Sequence, residues 1–315
     1  MTRLGYCNDS HLRSTRPSCR LDEQFYEKQL EKLDELVKIF TDEKIDEMQH
    51  GGDLFHVFNP VLSMVHAAAG ILSKASYPVY VNPGNHDIDS ANISTLYRSA
   101  LGVLEAAGVI HIGACQSKDF NILSFPYALN VPESAYTMTR VEGKVNTILT
   151  HDMLTTRDYL NAEKLPLFPH KNIFKLETNA DLVLCSHWHS QFLEKTNGTA
   201  FVNSGPLDTQ TINERHVKPG VVIIDAEKGK LKEIRIVLLK TTGYEKVEVP
   251  QLSESLPETG LADSFVEELK NSGLADGADL EQVIRAAGTK KGYMDTVIEL
   301  AINRVVSART QCGVK

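Results

Sequence analysis

Asp9-Ser10-His11 sets a carboxylate and an imidazole two residues apart, and four clusters of related chemistry follow along the chain. They are Gly52-Asp53-Leu54-Phe55-His56, Gly84-Asn85-His86-Asp87, His151-Asp152 and His187-Trp188-His189. Together they offer carboxylate oxygen, amide oxygen and imidazole nitrogen, a mixed donor set that suits manganese, iron or zinc better than an all-oxygen magnesium site. Residues two apart in an extended segment project to one side, so Asp9 with His11, and His187 with His189, are expected to converge from opposite ends of the sequence. One such pair is commonplace in cores and solvated loops. Five in order, four of them at expected strand ends, point to a dinuclear metal site.

The elements that must position these clusters alternate between strand and helix. Residues 4–8 read as a buried strand, 23–44 as a helix with Phe25, Leu30, Leu33, Leu36, Val37 and Phe40 at helical spacing, and 60–75 as a second helix opened by Pro60. Strands are expected at 77–81, 109–112, 120–125, 145–149, 181–185, 200–202, 220–225 and 231–239, with a helix at 93–107 and a hairpin turn at 227–229. Leu182-Val183-Leu184 is continuous apolar sequence, as in a strand covered on both faces. The polar clusters fall after strands, where open α/β sheets place ligands. Composition changes near Pro250. Residues 1–249 are expected to form the main domain, and 250–315 a linker and a helical module at 262–271, 279–287 and 293–306, the last with a Val297/Leu300 stripe.

With 315 residues, 42% hydrophobic and 23% charged, the chain has the composition of a globular protein with a substantial core. No apolar run reaches membrane-spanning length, and the N-terminal residues lack a secretory pattern, so a cytoplasmic location is expected, in a bacterial cell or a virus-infected bacterial host. Five scattered cysteines argue for reduced thiols. A net charge of -8 weighs against unaided nucleic-acid binding, although Arg13, Arg16 and Arg20 after the first cluster are candidate phosphate contacts.

The ordered clusters resemble the signature of calcineurin-like metallophosphoesterases over roughly residues 1–240. Within that superfamily, Gly52-Asp53-Leu54-Phe55-His56 followed by Asn59-Pro60 is similar to the SbcD-like nuclease subunits of DNA double-strand-break repair complexes. The resemblance implies an α/β sandwich of two sheets flanked by helices, with the small helical module at its C-terminal side. It implies a first metal on Asp9, His11, Asp53 and His189 and a second on Asp53, Asn85, His151 and His187, with each Asp53 oxygen facing one cation. It also implies His86 at the leaving oxygen, Asp87 as its orienting partner, and His56 in substrate positioning. Asp87 has the alternative of a helix-capping turn residue, and His56 that of a loop-packing one.

The chemistry implied is in-line attack of a metal-bridging hydroxide on a phosphodiester, most simply with two manganese ions. No Ser/His/Asp arrangement or phosphate-loop glycine pattern competes with it. The nuclease resemblance favours DNA as substrate, exonuclease and single-strand endonuclease action in repair or recombination, a homodimer, and an SMC-like coiled-coil ATPase partner docking on the C-terminal helices. The enzymatic alternative is hydrolysis of a nucleotide or other small phosphorylated molecule, which needs the same metal ligands. A structural subunit that binds DNA or an ATPase is the remaining alternative.

Overall fold

The computed structural model describes residues 1–240 other than 18, 19, 21, 115, 116, 158–169, 212, 213 and 215. It opens with β1 (Thr2–Cys7), α1 (Phe25–Asp42), β2 (Glu47–His50), α2 (Leu62–Leu72), β3 (Val79–Val81), a 3-10 turn at Ile93–Arg98, α3 (Ala100–Ala106) and β4 (His111–Ile112). The chain continues through β5 (Phe120–Phe125), β6 (Val145–Thr155), β7 (Lys171–Asn172), β8 (Leu182–Ser186), β9 (Phe192–Thr196), β10 (Thr199–Asn203), β11 (Gly220–Glu227) and β12 (Lys230–Leu238). The expected linker and helices beyond residue 250 lie outside the described residues. Among the described residues, no helix is long and apolar enough to cross a membrane.

Two mixed sheets result, flanked by helices as expected. One has the order β12-β11-β1-β2-β3-β4, and the other runs β5-β6-β8-β10-β9 with β7 beside β6. In the first, β1 to β4 are parallel neighbours, while β11 and β12 close the edge antiparallel. Period-two alternation decides what each face buries. On β1 and β11, Leu4, Tyr6, Val222, Ile224 and Ala226 point between the sheets, where they meet Phe120, Val145, Leu149, Leu182, Leu184 and Val202 of the second sheet. The opposite face of the first sheet, with Val221 and Ile223, packs on Leu33, Leu36, Val37 and Phe40 of α1 and on Met64 and Leu72 of α2. Val183, Cys185 and Phe201 face outward from the second sheet into a third cluster with Tyr136, Met138, Trp188 and Phe192.

Several elements depart from the sequence reading. The expected helix at 93–107 is broken at Ser99, whose backbone is extended and whose hydroxyl caps α3 by accepting from the Gly102 N–H at 3.2 Å. Pro60 precedes α2, which starts at Leu62. β2, Glu47-Met48-Gln49-His50, lacks apolar alternation yet is buried throughout, because it lies between β1 and β3 under the polar end of the sheet. β6 runs to Thr155, six residues beyond its expected end at 149, with an irregularity between Thr150 and Met153 that displaces His151 from the regular ladder.

Candidate metal centre

The loops after β1 and β2 stay hydrogen-bonded to each other past the strand ends, and this brings the first two clusters together. The N–H groups of Asp9, His11 and Leu12 donate to the carbonyls of Gly52, Asp53 and Leu54 at 3.0, 2.9 and 3.0 Å, and His56 N–H donates back to Leu12 at 3.1 Å. Asp9, His11 and Asp53 achieve this with φ of 51°, 45° and 54°, in the left-handed region that non-glycine residues avoid. His187 joins them at 66°. Asp9, His11 and His187 are therefore not extended, contrary to the i, i+2 expectation. Tight turns project them, and such backbone strain, on the order of 1–3 kcal/mol per residue, is characteristic of functional sites.

The final cluster uses two consecutive three-residue turns. Trp188 N–H donates to Ser186 and Ser190 N–H to Trp188, each at 2.7 Å, so His187 and His189 are the central residues of successive γ-turns. His189 reaches Asp9 and His11, whereas His187 reaches Asp53 and His151. Trp188 turns away between them and packs on Phe192.

Two donor groups form around the shared carboxylate of Asp53. In the first, His11 Nε2 lies 3.0 Å from His189 Nε2, 3.6 Å from Asp53 Oδ2 and 3.8 Å from Asp9 Oδ1, with His189 Nε2 3.6 Å from Asp9 Oδ1. In the second, His151 Nε2 lies 3.2 Å from Asp53 Oδ2 and 3.1 Å from the Asn85 side-chain oxygen, and His187 completes the group. Metal–ligand bonds of about 2.0–2.2 Å at octahedral or tetrahedral angles separate neighbouring donors by about 3.0–3.5 Å. The donors thus sit at cation-ligating separations. Asp9 Oδ1 is buried and has no hydrogen-bond partner, as a cation ligand would be. Asp53 uses its oxygens differently from the expectation of one per cation: Oδ2 faces histidines of both groups, while Oδ1 accepts the His86 N–H at 2.8 Å.

Glycine is required where Asp53 and His151 come in. A Cβ on Gly84 would overlap Asp53 Oδ1 and approach its backbone nitrogen to 2.6 Å, and one on Gly52, at φ 113°, would meet His151 Nδ1 at 2.5 Å. His151 Nδ1 lies 2.8 Å from the Gly51 carbonyl, an acceptor only, so Nδ1 carries the proton and Nε2 is the atom presented to the site.

Protonation follows from this crowding. Burial opposes ionisation of Asp53, yet His151, His11 and His86 around it hold its carboxyl well below the ordinary range. Burial likewise opposes charge on His151 and His189, but Asp53 raises His151 to about 9, and Asp9 with Glu214 raises His189 to about 10. Burial wins at His187, pushed down to about 4, and holds His11 well below its usual value.

His56 and His86 form the rim. Their rings stack at 5.0 Å and 24°, and both stand edge-on to His11 at 5.3 and 4.8 Å, a trio that itself could hold a cation. His86 Nδ1 lies 2.6 Å from the His56 carbonyl. That carbonyl is the orienting partner of His86. Asp87, expected in that role, is buried and points elsewhere: its Oδ2 accepts the backbone N–H groups of Asp53 (2.7 Å) and Gly84 (2.9 Å), holding the loop of the shared ligand. Burial and the Asp53 charge push its carboxyl up to about 7.

Of the three arginines considered for phosphate contact, Arg20 is buried, paired with Asp208 and with both oxygens of Asp22 at 2.9 Å. Arg13 lies beside His56, whose imidazole is lowered to about 4 by burial and then by that guanidinium. His50, outside the five clusters, is buried beneath the site: its Nδ1 accepts the Gly52 N–H at 3.1 Å and its Nε2 lies 2.8 Å from the Ser10 hydroxyl. Asn203 donates to the Trp188 carbonyl at 2.8 Å, so the Asn203-Ser204 loop holds the backbone between the paired histidines.

A strained, glycine-cushioned pair of donor groups on a two-sheet sandwich defines the class, a metal-dependent phosphoesterase. The sequence model of the family described as Calcineurin-like phosphoesterase matches residues 2–191, more than half of the chain, and the chain belongs to that family. No curated protein matches the sequence. Among solved structures, an archaeal phosphodiesterase is 15% identical over 76% of this chain and 100% of its own, with a TM-score of 0.40. The protein TT1561 of Thermus thermophilus is 15% identical over 75% and 98% of the two chains, with a TM-score of 0.42. A conserved uncharacterised protein from Streptococcus pneumoniae is 13% identical over 75% and 89%, with a TM-score of 0.34.

Proposed function

We propose that the chain hydrolyses phosphate esters of a nucleotide or another small phosphorylated molecule with two divalent cations. Asp9, His11, Asp53 and His189 would hold one, and Asp53, Asn85, His151 and His187 the other. Their mixed nitrogen and oxygen donors suit manganese, iron or zinc. When bound, such a pair supplies an acidified water and neutralises charge on the phosphoryl oxygens. The observation that carries this reading is the position of Asp53 Oδ2, 3.6 Å from His11 Nε2 and 3.2 Å from His151 Nε2, between the two donor groups.

The remaining residues serve the ester. The His56 carbonyl accepts a hydrogen bond from His86 Nδ1–H, which leaves Nε2 of that ring to face the departing oxygen. His56 stacks on His86 and fixes its plane at the rim.

The small-substrate reading is supported by the burial of Arg20 in ion pairs and by the net charge of -8, both of which weaken a basic track to the site. One observation favours DNA as a second reading: His56, in the segment similar to SbcD-like nucleases, stands 3.4 Å from His11. A homodimer and a coiled-coil ATPase partner belong to that reading.

The test offers manganese-loaded protein bis(p-nitrophenyl) phosphate, nucleotides and end-labelled single- and double-stranded DNA, with His86→Ala beside it. Small-ester turnover lost in the variant is expected. DNA cleavage without small-ester turnover would transfer the assignment to the second reading, and no metal-dependent turnover of any substrate would overturn both.

A further inference from the structure

His189 differs from the other site histidines in what holds the far side of its ring. His151 and His86 have backbone carbonyls there, of Gly51 and His56. At His189 the partner is a carboxylate: Nδ1 lies 2.7 Å from Glu214 Oε1. Glu214 is buried and itself tied down, with Oε1 accepting the Thr211 hydroxyl at 3.0 Å and Oε2 accepting the N–H groups of Gln210 (2.6 Å) and Thr211 (3.2 Å). Gln210, which donates its N–H to Glu214, follows Asp208, whose Oδ1 accepts from Lys32 at 2.7 Å and from Arg20. The chain therefore commits a buried, multiply hydrogen-bonded carboxylate to one imidazole.

We infer that Glu214 is a positioning residue for the first cation, acting through His189. A carboxylate on Nδ1–H fixes the tautomer, aims Nε2 at Asp9 and His11, and makes the imidazole a stronger donor. The inference rests on the two-cation reading above. Its consequence is an asymmetry: Glu214 holds a ligand of the first donor group, whereas His151 of the second is held by the Gly51 carbonyl, so neutralising Glu214 weakens one cation position and spares the other.

The test is calorimetric manganese titration of the 315-residue chain, of Glu214→Gln, of His189→Ala and of the double variant. Wild type is expected to take up two ions, and Glu214→Gln to lose about 10–100-fold in affinity at one position only, the usual cost of removing such a partner. In the His189→Ala background the same substitution should add less than about twofold, because its route is gone. Two ions bound with unchanged affinity by Glu214→Gln, or a full additional loss in the double variant, would overturn the inference while leaving the two-cation reading intact. Wild type that binds no ion would overturn that reading and the inference with it. If Glu214→Gln does not fold, nitrogen-15 spectra of the zinc-loaded wild type decide: His189 coordinated through Nε2 is expected, and coordination through Nδ1 contradicts the proposal.

Discussion

Asp208→Asn is expected to be the most destabilising polar substitution near the site. Asp208 Oδ1 accepts from the ammonium of Lys32 at 2.7 Å and from the guanidinium of Arg20, and all three side chains are nearly inaccessible to solvent. Arg20 retains Asp22 when Asp208 is neutralised, whereas Lys32 loses the carboxylate that offsets its burial. Breaking a buried pair by removing one partner costs about 3–5 kcal/mol, a large part of the roughly 5–15 kcal/mol that holds a typical domain folded. For a body of this size that is a fall in Tm of roughly 6–20 °C. Urea and thermal melts at pH 7 read it directly. Lys32→Met combined with Asp208→Leu removes both charges of that pair and should recover at least half of the loss. An Asp208→Asn protein within about 1 kcal/mol of wild type would refute the argument, since these charges would then be solvated.

Other perturbations test other parts of the account. Gly84→Ala drives a Cβ into Asp53, and displacing the shared ligand should cut metal-dependent hydrolysis by about 100-fold or more; a loss under tenfold would mean that Asp53 has room to move. Burial raises Glu47 to about 7, so the fold binds its proton more tightly than the unfolded chain, and the associated stability is complete below about pH 4.5 and lost as pH rises through 7. Glu47→Gln should therefore match wild type at pH 4 and exceed it by up to about 3 kcal/mol at pH 9 in chemical denaturation, and an equal difference at both pH values would contradict this. With His189 at about 10 and His151 at about 9, the metal-free chain carries both protons at pH 7. Cation uptake should release about two protons, measurable by calorimetry in buffers of different ionisation enthalpy, and should weaken as pH falls. Uptake without proton release would show that these two imidazoles are already neutral in the metal-free chain at pH 7.

How much of this was legible in the sequence follows from where each signal resides. The donor clusters could be read because each motif keeps its ligands within a few residues, and the structure gathers Asp9, His11, Asp53, Asn85, His151, His187 and His189 within two adjoining groups. Strands such as Leu182–Ser186 showed as apolar runs, whereas Glu47–His50 did not, because its polar side chains are buried by neighbouring strands and the site above. The left-handed turns at Asp9, His11, Asp53 and His187 are hidden because none of these residues is a glycine or asparagine, and the extended geometry expected of Asp9, His11 and His187 does not hold. Glu214 acts across 25 residues on a partner that no spacing rule connects. Asp87 is the expected partner of His86, but its carboxylate answers to the backbone of Asp53 and Gly84.

The most direct test of the central claim is electron paramagnetic resonance of the manganese-loaded protein at a known ratio of metal to chain. With Asp53 Oδ2 between the two donor groups, two ions per chain should give the multiline spectrum of an exchange-coupled pair about 3.5–4 Å apart, reduced to an uncoupled signal in Asp53→Asn. A wild-type protein that binds a single ion, or two ions with only isolated six-line signals, would contradict the shared-carboxylate centre on which the account stands.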